Sequence, residues 1–130
     1  MKTKGEIEAE ISEAMVRFEI DYMGRGPKEA RTHIVEDMIL VRLKGVLTPA
    51  EQQLTKNPDG VELIKKVRAT LIENAKPILA EVLYGIAGAK VLSLHTDIST
   101  VAGERIIVFT LDRNLEKLVA TKASGVKRET

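Results

Sequence analysis

Between Asp59 and Gly88, apolar side chains recur at three- and four-residue steps: Val61, Ile64, Val67, Leu71, Ala75, Ile78, Val82 and Ile86. This spacing predicts one long amphipathic helix, opened by Asp59 with Glu62 as a capping box and closed by Gly88. About 28 residues at a rise of about 1.5 Å span about 42 Å. A compact domain of 130 residues is only about 36 Å across. The helix must therefore cross the whole fold or protrude from it. Pro77 inside it should remove one backbone hydrogen bond and bend it.

The remaining elements arrange themselves around this rod. Ile7, Ile11, Ala14, Met15, Phe18 and Tyr22 give residues 6–23 one apolar helical face, and Gly24 with Gly26-Pro27 stops it. From His33 to Leu47 the period shortens: Val35, Ile39, Val41 and Leu43 alternate against Ile34, Met38 and Leu40. Apolar side chains on both faces predict one central strand. Thr48, Pro49 and Glu51 form a dense helix start, with the helix ending near Lys56. Residues 90–100 and 104–111 read as a hairpin turning near Gly103. Asp112 is placed to cap a last short helix carrying Leu115, Leu118 and Val119.

The expected class is α/β in the α+β sense: a two-layer sandwich with a three-stranded, mostly antiparallel sheet and elements in the order α-β-α-α-β-β-α. Residues 1–120 form one domain, and residues 121–130 a frayed basic tail. Ile107, Phe109 and Leu111 leave the last strand on one side, Ile106 and Val108 on the other. A thin sheet apolar on both sides needs more cover than these helices supply. A homo-oligomer, in the first instance a homodimer, is the expected source of that cover.

Composition narrows the functions. Lys and Arg number 20 against 19 Asp and Glu, so no global field gathers nucleic acid or anionic lipid. Aromatic residues are 3% with no Trp, which leaves few stacking platforms for single-stranded nucleic acid. The absence of Cys removes thiolate chemistry and cysteine metal sites. It is compatible with a cytoplasmic location. No signal peptide or membrane span is expected, because the first residues are charged and no run of about 18 apolar residues occurs.

Two segments carry candidate ligand chemistry. The turn Gly24-Arg25-Gly26-Pro27-Lys28, with Arg31, resembles a small anion nest, in which glycines let backbone N–H groups approach an oxyanion and cations neutralise it. It lacks the remaining features of a P-loop. A helix C-cap with solvated charges explains the same residues. In the hairpin, Ser93, His95 and Asp97 leave one face at alternate positions and precede Arg105. A His beside a carboxylate suits acid–base work or half a metal site, yet a hydrogen-bonded polar strand face needs no more than these groups. No catalytic residue, metal or cofactor is assigned. Lys65, Lys66 and Arg68 read as a solvated basic face, with RNA binding as the alternative.

Four segments together resemble one family: residues 22–27 (Tyr22 to Pro27), 43–51 (Leu43 to Glu51), 93–100 (Ser93 to Thr100), and Gly103-Glu104-Arg105 through Asp112. They resemble the MpsC-like family, small bacterial proteins named after a component of a sodium-translocating, membrane-potential-generating system. The likeness runs from about Lys4 to Leu118. It implies a soluble, non-enzymatic accessory or regulatory protein beside an integral membrane transport partner, docked at the inner face of the membrane. With no bilayer-spanning segment, the chain cannot itself carry sodium across. The residue chemistry leaves two alternatives: a small-anion or nucleotide-binding protein or enzyme using Arg25, Gly26, Lys28, Arg31, His95, Asp97 and Arg105, and an RNA-binding module.

Overall fold

The computed structural model describes residues 2–120. The chain runs α1 (Lys4–Met23), β1 (Glu29–Val35), β2 (Met38–Lys44), α2 (Pro49–Leu54), α3 (Pro58–Ala87), β3 (Val91–Ser99) and β4 (Glu104–Leu111). A further helical stretch, α4, occupies residues 115–120. The tail expected to fray lies outside the described residues.

The class is α+β, but the sheet has four strands, not three, in the order β1-β2-β4-β3 and antiparallel throughout. The stretch read as one strand from His33 to Leu47 is a hairpin. Val35 pairs with Met38 across the two-residue turn Glu36-Asp37. Glu36 there takes φ 55°, a conformation that usually calls for Gly or Asn. The turn thus lacks the residues that announce a reversal.

Burial alternates strictly along β4, placing Arg105, Ile107, Phe109 and Leu111 on an inner face. Ile39, Val41 and Leu43 of β2 join them, with Ile34 of β1 and Ile98 of β3. Against this face pack Ile7, Ile11, Met15 and Phe18 of α1 and Ile64, Ile72, Ala75, Leu79 and Leu83 of α3. Leu115 and Val119 of α4 close one end of the core. The phase of α3 differs from the expected one. Val67, Ile78 and Val82 are exposed, and a second stripe one position along faces inward.

Caps fix where helices begin. Thr3 and Glu6 form a reciprocal capping box on α1, and Gly24 at φ 86° ends it by donating its N–H to the Ile20 carbonyl at 3.0 Å. Thr48, Pro49 and Glu51 open α2 as the sequence indicates. The 30-residue α3 is capped by Asn57, whose Oδ1 accepts from the Gly60 N–H at 2.9 Å, and not by Asp59. It continues through Pro77 without a break. Asn114 caps α4 by accepting from the Lys117 N–H at 2.9 Å. Asp112 instead accepts from the Lys90 N–H and from Arg113, and these hydrogen bonds, led by Arg113, lower its carboxyl to about 2.

The opposite face of the sheet presents Met38, Leu40, Ile106 and Val108 at its centre, half-buried by their neighbours alone. Exposed His33, Arg42, His95 and Asp97 surround them.

Candidate functional site

The seven candidate ligand residues do not gather in one place. Arg25 and Lys28 share a cleft of about 330 Å³ with Gln52, Thr55 and Thr100, where the α1–β1 turn meets the β3–β4 turn. Arg25 Nη1 donates to the Leu47 carbonyl at 3.2 Å, and the Lys28 N–H to the Lys44 carbonyl at 2.8 Å. Gly26 packs on Val16 and Ile20 behind this turn. Among the described residues no carboxylate borders the cleft. Its chemistry is that of an anion receptor, two cations and three neutral polar side chains.

His95, Asp97 and Arg31 stand elsewhere, on the outer face of the sheet. His95 Nε2 shares a hydrogen bond with Ser93 Oγ at 3.1 Å, and Ser93 also bonds Thr110. Asp97 pairs with Lys65 at 3.4 Å. Arg31 pairs with Glu29 at 2.7 Å, well exposed. His95 and Asp97 make no contact that would let the carboxylate orient the imidazole.

Arg105 belongs to a different constellation, which sequence reasoning missed. It is buried on the inner face of β4 beside Arg68, Glu19 and Glu51, all four under 10% exposed. Arg68 Nε and Nη2 reach both oxygens of Glu51 at 2.7 Å, the bidentate geometry a guanidinium favours. Its Nη1 donates to Glu19 at 3.0 Å, and its Nη2 also to the Val46 carbonyl at 2.8 Å. Arg105 Nη1 donates to the other oxygen of Glu19 at 3.2 Å, its Nε to Thr96 at 3.3 Å. Two cations and two anions cancel, and every buried side-chain nitrogen and oxygen among the described residues has a partner. That satisfaction is what makes buried charge tolerable.

Burial alone would raise the Glu51 carboxyl, but hydrogen bonds from Arg68 and the Thr48 N–H, with the Arg68 charge, hold it below its ordinary value. Burial would likewise lower Arg68, and Glu51 with Glu19 raises it instead. Arg105, buried beside the second guanidinium, ends lower than usual despite Glu19. A guanidinium remains charged at neutral pH, so the tetrad acts as a fixed clamp joining α1, α2, α3 and β4. Glu51 both caps α2 and anchors α3.

One signal for it was present. Glu19 falls four residues after Met15, and Arg68 midway between Ile64 and Ile72, each on the buried stripe of its helix. An ionisable residue on such a stripe requires a buried counter-charge. Arg68 is thus corrected from a solvated basic face to the centre of the core.

The geometry defines an α+β protein with an open four-stranded sheet, helices on its inner face and a cation-lined cleft at one end. Residues 3–113 match the family described as Na+-translocating membrane potential-generating system (MpsC), and the chain belongs to that family. It is 46% identical over 116 residues to the Bacillus subtilis (strain 168) "Uncharacterized protein YbcI", covering 89% of this chain and 94% of that one. It is 28% identical over 109 residues to "Uncharacterized protein YrhF" of the same organism, covering 83% and 89%. No solved structure matches.

Proposed function

We propose that this chain is a non-enzymatic accessory subunit of a sodium-translocating, membrane-potential-generating system, working from the cytoplasmic face of the membrane. The family match over residues 3–113 carries this reading. No helix among the described residues is long and apolar enough to cross a membrane, so the ion path belongs to a separate integral partner. The exposed stripe Leu63, Val67, Ile78 and Val82 along α3 is the surface offered to that partner. In a strain lacking the protein, a voltage-sensitive dye read across a sodium series should report loss of the sodium-dependent part of the potential. Wild-type chain should restore it, and Val67→Glu/Ile78→Glu should not. A sodium response unchanged by the deletion would remove the reading.

The carboxylate-free cleft favours one second reading. Arg25 and Lys28, with Thr55 and Thr100, would take a small oxyanion such as phosphate. This ligand would regulate the subunit and would not be transformed by it.

A further inference from the structure

The strand registers arrange the outer face as a grid of four rows. Along successive rows from β1 to β3 stand Val35, Met38, Thr110 and Ser93; His33, Leu40, Val108 and His95; Arg31, Arg42, Ile106 and Asp97; and Glu29, Lys44, Glu104 and Ser99. Charge divides this grid down the middle. The β1–β2 half holds Arg31, Arg42 and Lys44 against the single Glu29, whereas the β4–β3 half holds Asp97 and Glu104 with no Lys or Arg. Between the halves runs the apolar centre of Met38, Leu40, Val108 and Ile106.

We propose that this face binds a second copy of the chain about a two-fold axis parallel to the strands. Such an axis exchanges left and right while keeping each row at its own height. Arg31 then lies over Asp97 of the partner subunit, Lys44 over the partner's Glu104, and Leu40 over the partner's Val108. The cationic half of each copy meets the anionic half of the other, and the apolar centres close on each other. A two-fold axis running across the strands would instead lay each cationic half on itself. Both arrangements keep the strands of the two sheets nearly aligned, the ordinary packing of stacked sheets, but only the first is complementary in charge.

Glu104 is already paired with Arg42 of its own chain at 2.7 Å and Lys44 lies 3.9 Å from Glu29, so the re-pairing falls on Arg31 and Asp97. Arg31 and Asp97 have exposed side chains, each held within the chain by one surface ion pair, to Glu29 and to Lys65. Such pairs are weak. Four strands at about 4.8 Å and seven residues at about 3.4 Å give a face of about 450 Å² per copy. Counted over both copies this is about 900 Å², below the roughly 1,200 Å² of stable specific interfaces, so the dimer is a weak, transient one. The inference does not depend on the transport-linked function.

The test is sedimentation velocity from micromolar to millimolar concentration on the wild-type chain, Arg31→Glu and Asp97→Lys. Wild type should shift to twice the chain mass as concentration rises, and each reversal should weaken that association by about tenfold or more. An equimolar mixture of the two variants should recover it. In the mixed pair the carboxylate introduced at position 31 of one copy meets the ammonium introduced at position 97 of the other, while the native pair survives at the opposite edge. Both positions are exposed, and circular dichroism verifies that each variant stays folded. A wild type monomeric at every concentration, single variants that associate like wild type, or a mixture no tighter than its components would each overturn the proposal.

Discussion

Arg105 donates through Nη2 to the backbone carbonyl of Arg68 at 2.9 Å, so the second buried guanidinium is seated on the main chain of the first. Glu19 lies between them, one oxygen to each. Removing its carboxylate leaves Arg105 with no carboxylate partner and the core with one uncompensated positive charge, while Arg68 keeps Glu51. Glu19→Ala should cost about 3–5 kcal/mol, measured by urea denaturation. Glu29→Ala, which breaks only the exposed pair with Arg31, should change stability by less than about 1 kcal/mol. Equal effects would mean that the tetrad does not clamp the fold.

Acid should loosen the same clamp through Glu51. Its carboxyl is held below the ordinary value of 4.5 in the folded chain, so the unfolded chain binds more protons. The stability it contributes is complete above pH 4.5 and falls away as pH drops below that value through the folded one. Glu51→Gln should destabilise the protein at neutral pH and flatten its stability below pH 4.5. Thermal unfolding across a pH series reads both effects.

The clamp was half legible in the sequence. Glu19 follows Met15 by one helical turn and Arg68 stands midway between Ile64 and Ile72, but the stripe that holds Arg68 is not the one its helix was expected to bury, and nothing local says which distant carboxylate a guanidinium meets. Glu51 was read as a cap because its sequence neighbours explain it fully; its second role depends on α3 passing above. The face assignment of β4 was legible because strict alternation survives any topology. The phase of α3 was not, since Leu63, Val67, Ile78 and Val82 compete with Ile64, Ile72, Leu79 and Leu83 as equally apolar stripes.

The β1–β2 turn was illegible because Glu36 accepts a positive φ that its side chain disfavours. Glu36→Gly should therefore stabilise the chain by about 1 kcal/mol in chemical denaturation. The hydrogen bonds between the Glu36 backbone and Glu116 persist in the variant. A loss of stability would show that this turn is not strained.

Separation of the candidate ligand residues gives a further expectation. If phosphate raises the melting temperature through the Arg25 cleft, Arg25→Ala should abolish the shift and His95→Ala should leave it intact, because His95 does not line that cleft. Loss of the shift in both variants would require the two segments to form one pocket.

Helices cover one face of the sheet, and the proposed dimer covers the other with a second copy of the chain. A chain without cysteine lets it be read directly by chemical cross-linking. His33→Cys and His95→Cys chains, mixed and treated with a bismaleimide spanning about the 10 Å between stacked sheets, should yield a dimer joined between residues 33 and 95. His33→Cys alone should yield little, because its two copies lie on opposite edges. A product joining 33 to 33, or no dimer from the mixture, would contradict the account.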